Sequence, residues 1–397
     1  MPNEVCGWLS VENEIEKAEK QYKLYNMKFN IPSKLLLTHL SAVSKVVNSK
    51  NAISILDNFL FALDGEKLVV TGSDQETTLT TNVAVSEAEG SGKFAVNVKN
   101  LLDLLKELPD QPLTFEINDD NFEINIFYQN GKFNFIGING DEFPQKEASI
   151  EETLSFSIPA EEVIKGISHS IFAVGTEDLR PVMMGILWDI KPDEITFVAS
   201  DTHKLVRYRD MRVKPGMETN FILPTKPANI LSTILVKEEG DVAITLDPKS
   251  ATFVTGEYTL NCRFVNGKYP NYNSVIPKDN PYKVVIDRVS LLNAIRRVSV
   301  FASVGGLVKI EVRANELYLK AQDVDFSTWA EETVPCEYTG EQMTIGFNDD
   351  KIIEILNNIE ADTVDVQLSD PSRPGIFVPS AQEEGEDYLA LLMPMML

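Results

Sequence analysis

FNIPSKLLLTHLSAVSKVV from Phe29, FSIPAEEVIKGISHSIFAV from Phe156 and VVIDRVSLLNAIRRVSVFA from Val284 are three versions of one pattern. Their starts lie 127 and 128 residues apart, and Leu36, Val163 and Leu291 fall in register, as do Leu40, Ile167 and Ile295. A repeat of that length is a whole domain used three times, not a solenoid unit of a few tens of residues. A chain of three like domains is suited to curve around something or to tile.

Each copy runs through the same elements. An extended FxI or VxI segment leads into an amphipathic helix, in which Leu36, Leu40, Val43 and Val47 recur at helical spacing. Pro32 and Pro159 stand at helix starts, where a missing N–H costs nothing. A pair of alternating strands follows, at 68–85, 195–213 and 317–334, with Asp74, Asp201 and Asp323 at the same turn. Aspartate suits that turn because its carboxylate accepts from backbone N–H groups. A second helix comes at 94–108, 221–236 and 344–359, and further strands close each unit, with Asn130-Gly131 marking a hairpin. The pattern predicts an α+β fold. Residues 1–26 form an extension expected to be disordered, and domains are expected at 27–147, 153–278 and 281–397.

The chain of 397 residues carries a net charge of −24, which alone argues against a polyanionic partner. Its distribution argues otherwise. The six helical segments 33–50, 97–107, 159–172, 224–237, 287–302 and 347–360 together carry +3, so the acidity lies elsewhere. Lys34, Lys45 and Lys50 share the first segment with no acid; Lys226 and Lys237 lie in the fourth, and Arg288, Arg296 and Arg297 in the fifth. One reading is ordinary solvated helix faces. The other is a basic helical surface that holds a polyanion loosely while the acidic remainder repels it. Asp349, Asp350, Glu354 and Glu360 in the sixth segment weaken the second reading.

Catalytic constellations are missing. His39, His169 and His203 sit in different elements, and no GxSxG, HExxH, GxxxxGK[ST] or strand-following GxGxxG occurs. Asp323 and Asp325 make a weak carboxylate pair that could serve a metal-dependent nuclease or hydrolase, but Asp323 reads first as a turn residue. Cys6, Cys262 and Cys336 are odd in number and widely spaced, as expected of reduced thiols in a cytoplasmic protein with no metal site or cofactor. No apolar run approaches a bilayer span. The chain ends YLALLMPMML from Tyr388, a stretch that must be docked or await a partner. Leu389 to Leu392 read as a core strand that stops at Pro394, leaving Met393, Pro394, Met395 and Met396 on a surface suited to varied apolar peptides.

With MKF at 27–29, ILDNFLF at 55–61, TGSDQE at 71–76, DEFP at 141–144, ASDTHKLV at 199–206, FVNGKYPNYNSVIP at 264–277, IGFN at 345–348 and the terminal MPMML, the chain resembles the bacterial DNA polymerase III beta subunit family, the sliding clamps, from residue 27 to the end. The resemblance implies three clamp domains per chain and a head-to-tail homodimer. Its six domains would close a pseudo-sixfold ring on double-stranded DNA, without sequence preference and without catalysis. It implies partners that include the polymerase III alpha subunit, the clamp loader, and other polymerases and repair proteins carrying a clamp-binding peptide. A membrane partner is not implied. DNA contacts are expected from Lys50 and Arg180, although Pro181 and Val182 replace the family's tyrosines. Lys34, Lys45, Lys226, Arg296 and Arg297 are the further candidates on the helices. The implied peptide pocket comprises Met183, Ser200, Thr202, His203, Lys204, Leu205, Pro270, Val275, Leu391, Met393, Pro394 and Met395, with Ser274 and Met396 where arginines are common. Phe133 and Phe135 match one side of the implied dimer seam, and Val300 and Phe301 the other; read without the resemblance, those four serve equally as core residues.

Overall fold

The computed structural model describes residues 25–48, 51–144, 153–177 and 179–397. The extension expected at 1–26 lies outside these residues up to position 24, as does Lys50. The chain divides into two compact units, one of residues 1–155 with 243–262, the other of 156–242 with 263–397.

Six α-helices occur among the described residues: α1 (Ser33–Val43), α2 (Val98–Glu107), α3 (Ala160–Ile171), α4 (Thr225–Ile234), α5 (Arg288–Ser299) and α6 (Asp349–Asn357). They pack in pairs, α1 on α2, α3 on α4 and α5 on α6, one pair for each copy of the repeat. Pro32, Pro159 and Pro224 cap three of them, and Asn97, Asp287 and Asn348 cap the others by accepting from the N–H three residues on. The first helix is shorter than its apolar spacing suggests. After Val43 the backbone switches to i→i−3 bonds, Lys45 N–H to Ala42 and Val46 N–H to Val43. The Ser44 hydroxyl also bonds back to the Ser41 carbonyl at 2.9 Å. The tighter turn brings Val46 into the core and leaves Val47 half-buried.

In the first unit, a five-stranded sheet runs in the order Ser86–Glu89, Met27–Pro32, Pro112–Asn118, Glu123–Tyr128, Gly131–Ile136. The last two form the expected hairpin, with Tyr128 paired to Gly131. A nine-stranded sheet contains Asn58–Asp64, Lys67–Ser73 and Thr77–Ala84, continued by Tyr258–Arg263. In the second unit, an eight-stranded sheet contains Gly185–Lys191, Glu194–Ser200 and Lys204–Asp210, continued by Glu386–Leu392. A four-stranded sheet runs Thr328–Pro335, Glu316–Asp323, Leu307–Arg313, Met343–Asn348.

Repeats are thus joined by one device used twice. The strand that follows the Asp turn pairs, antiparallel, with the last strand of the next repeat: Thr77–Ala84 with Tyr258–Arg263, and Lys204–Asp210 with Glu386–Leu392. A buried histidine supports each ladder. His39 on α1 bonds Thr81 at 2.7 Å and stacks on Tyr258, and His169 on α3 packs against Tyr208 and Tyr388. The Asp turns form as expected: Asp74, Asp201 and Asp323 each accept from two backbone N–H groups of their own turn.

The second ladder is closed at its far end by ions. Arg212 reaches Glu162 on α3 at 2.7 Å, the fully buried Asp210 at 2.8 Å and Glu386 at 2.5 Å, and Lys165 adds a contact to Glu386 at 3.4 Å. Burial, then the neighbouring Asp210, pushes the Glu162 carboxyl up to about 7, against the pull of Arg212 and Lys165. A carboxyl raised on folding contributes stability that is complete below its ordinary value of 4.5 and is lost as pH rises through about 7. Melting temperature measured across that window should fall as pH rises, and Glu162→Gln, which keeps the donor to Asp210, should flatten that part of the curve.

Candidate peptide pocket and basic residues

The second ladder also builds a surface. Leu205 lies directly opposite Leu391, which pairs in turn with Ile376. All three are buried in a cluster with Leu187, Val198 and Ile222 on one face of the eight-stranded sheet. The segment between the second and third repeats crosses this face and lays Tyr269 and Tyr272 on it, while Val182, Val265, Ile276 and Val378 are only partly covered. Tyr272 is fixed by donating its hydroxyl to Asp189 at 2.8 Å. Burial raises both tyrosine hydroxyls above their ordinary range, Tyr272 to about 12, so they stay neutral.

Beside this apolar floor is a cavity of about 110 Å³ lined by Met183, Thr202, His203, Arg180, Asp201 and Lys351, among others. Thr202 holds a positive φ of 77°, which turns the chain so that the His203 carbonyl accepts from Met393 N–H at 2.8 Å. Met395 N–H continues to Gly346 at 2.8 Å, so the tail runs on past the strand end at Leu392 and reaches the four-stranded sheet. Met393 is exposed, Pro394 and Met395 are half-buried, and Met396 is 95% exposed. Val275 and Pro270 are exposed on the crossing segment, and Ser200 is buried with its hydroxyl on the Lys204 carbonyl at 2.8 Å.

Lys204 is in a different state from its neighbours. It is 5% exposed, and its Nζ contacts Asp201 at 3.0 Å and Glu354 at 2.7 Å. Asp201 also holds Lys351 at 2.7 Å. Burial works against both charges, but hydrogen bonds from Lys351 and Lys204 hold the Asp201 carboxyl down at about 2, and Glu354 and Asp201 hold Lys204 above its ordinary value. The Asp201 turn therefore ties the second repeat to α6 of the third. Sequence reasoning assigned Asp201 only to its turn and had no signal for Lys351, which is 150 residues away. The two tyrosines of FVNGKYPNYNSVIP, Tyr269 and Tyr272, carry no signal in the sequence that they cover the floor.

The basic candidates differ in exposure and in their partners within the chain. In the first unit Lys34 on α1 and Lys45 just after it are exposed. In the second unit Arg180 is exposed at the cavity rim and Lys226 is half-buried in the first turn of α4. Arg296 is exposed on α5 and donates to Asn357 on α6 at 2.9 Å, while Arg297 is paired with Glu332 at 2.9 Å. Arg288, counted in the helix charge, donates to the Leu356 and Ala361 carbonyls and so caps the end of α6. Of the seam candidates, Phe133 and Phe135 are half-buried on the edge strand Gly131–Ile136, and Val300 and Phe301 are exposed just beyond α5. No helix among the described residues is long and apolar enough to cross a membrane.

Repeated α+β domains joined edge to edge, with an apolar floor on the second ladder, define the class of the sliding clamps. The comparisons agree. The N-terminal, central and C-terminal domains of the DNA polymerase III beta subunit match residues 27–147, 157–271 and 273–396. The beta sliding clamp of Pseudomonas aeruginosa is 28% identical, over 94% of this chain and 100% of the relative. That of Bacillus subtilis is 25% identical, over 93% and 99%. The crystal structure of the Pseudomonas aeruginosa clamp bound to griselimycin superposes with a TM-score of 0.88 at 27% identity, covering 94% of this chain and all of the other. The Thermotoga maritima beta subunit gives 0.86 at 25% identity, with coverage of 94% and 100%. The chain belongs to the DNA polymerase III beta subunit family. It is a DNA sliding clamp, a processivity factor for DNA polymerase III and not an enzyme.

Asp201→Ala would leave buried Lys204 with Glu354 alone. We predict a loss of about 3 kcal/mol in unfolding by denaturant. The stability that Asp201 supplies should be complete above its ordinary value of 3.8 and disappear as pH falls through about 2.

Proposed function

We propose that two copies of the chain, each carrying clamp domains at 27–147, 153–278 and 281–397, close head to tail into a ring around duplex DNA. The observation that carries this reading is an unfinished pattern. The two internal junctions are ladders between a strand after an Asp turn and a final strand of the next repeat. The two strands that would make a third such ladder, Thr328–Pro335 and Gly131–Ile136, both stand at sheet ends. Bare edges of this kind recruit another strand, and an interface between unlike surfaces closes when the rotation permits.

Within the ring, Lys34, Lys45, Lys50, Arg180, Lys226, Arg296 and Arg297 supply a loose positive lining. Contact with phosphate alone carries no sequence information and lets the protein slide. The site around Leu205, Leu391 and Met393 takes short peptides with apolar anchors from the polymerase alpha subunit, the clamp loader and repair proteins. Exposed Met393 and Met396 suit a site that accepts several sequences. Tethering a polymerase by this site raises its effective concentration at the primer end, with no chemistry from the clamp. The reading places this work in the cytoplasm. Against the nuclease alternative, Asp323 serves its own turn, accepting from the N–H groups of Asp325 and Phe326.

After loading by a clamp loader, the protein should remain on nicked circular DNA through gel filtration in high salt and leave when the circle is cut. Equal loss from both forms would contradict encirclement.

A further inference from the structure

The two internal ladders carry enough information to write the register of the missing one. Ser73, Ser200 and Gln322 each immediately precede the Asp turn, and their partners across the hairpin are Thr78, Leu205 and Trp329. These three are therefore equivalent. Thr78 pairs with Asn261 in the first ladder, and Leu205 with Leu391 in the second. Asn261 bonds Thr252 across its hairpin, as Asn134 bonds Asn125. Asn134 is thus the first-repeat counterpart of Asn261.

Resting on the reading of the chain as a closed dimer, we propose that Trp329 lies opposite Asn134 of the partner subunit, and that the turn at 323–327 is an apolar latch closing on Ile136 of the partner subunit. Three features agree. On the inner face, Ala330 meets the partner subunit's Phe133 where the internal ladders place Leu79 with Leu260 and Val206 with Ala390, pairs that are fully buried. Ala330 and Phe133 are each only half-buried in the single chain. On the outer face Glu331 meets the partner subunit's Lys132, and opposite charges directly across a ladder stabilise it. In the single chain Lys132 lies over the Phe127 ring at 6.0 Å, and Glu331 accepts from the Tyr318 hydroxyl.

The latch is peculiar to the third repeat. Its turn is two residues longer than the other two, since Gln322 pairs with Trp329 where Ser73 pairs with Thr78. It carries Val324 at 75% and Phe326 at 79% exposure. In the second ladder the corresponding turn lies over the residue just past the ladder, His203 accepting from Met393. The residue in that place at the seam is Ile136, itself 74% exposed. A second copy covers all three.

The full-length chain carrying Asn134→Cys with Trp329→Cys should form a covalent dimer on mild oxidation, seen on a non-reducing gel, while Asn134→Cys with Glu331→Cys, two residues out of register, should not. Phe326→Asp, at an exposed position, should leave the melting temperature of the monomer unchanged and raise the dimer dissociation constant about tenfold or more in sedimentation by dilution. Crosslinking only in the shifted pair, or an unchanged dissociation constant for Phe326→Asp, overturns the register or the latch while the dimer itself persists. A mass that stays monomeric at every concentration overturns the closed-dimer reading and this inference together.

Discussion

The architecture depends on the backbone hydrogen bonds of a strand edge. A sheet that ends in an unpaired strand exposes a row of donors and acceptors, and water satisfies them less specifically than a second strand does. This chain spends two of its edges on itself. Thr77–Ala84 takes Tyr258–Arg263, and Lys204–Asp210 takes Glu386–Leu392. Both ladders put apolar pairs toward the helices, and both are backed by a histidine on the first helix of the preceding repeat. Burial lowers the pKa of both imidazoles, so they pack as neutral rings.

The same ladder that joins the second and third repeats makes the apolar floor on which the proposed peptide site rests. Leu205 and Leu391 meet across it, and the tail continues from it along His203. The first repeat is packed differently at the position corresponding to Met183. Its small cluster of Ile55, Leu56, Ala95 and Phe143 is closed, with Leu56 1% exposed. Met183, 127 residues beyond Leu56, is left half-buried at a cavity rim.

Much of this was legible in the sequence. The threefold pattern, the Asp turns and the hairpin at 128–131 follow from local chemistry, because each residue's partner lies within a few positions. The first helix was overread: alternation of Leu36, Leu40 and Val43 continues smoothly to Val47, and nothing in hydropathy reveals the switch to i→i−3 bonding after Val43. Part of the helix charge is engaged within the chain. Arg288 caps α6, Arg297 faces Glu332 and Lys351 holds Asp201, and each of these partners is tens to a hundred and more residues distant. A charge count sees the ion and not its counterion. The pocket residues are what the resemblance implies and have no signal of their own in hydropathy, and the tyrosines that cover the apolar floor become visible only with the crossing segment in place.

Hydrogen exchange, followed amide by amide at concentrations where sedimentation gives twice 44.4 kDa, tests the account most directly. Protection of Thr328–Pro335 and Gly131–Ile136 that approaches that of Lys204–Asp210, and that vanishes on dilution to monomer, is the result the account predicts. Fast exchange of both strands in a particle of doubled mass would contradict it.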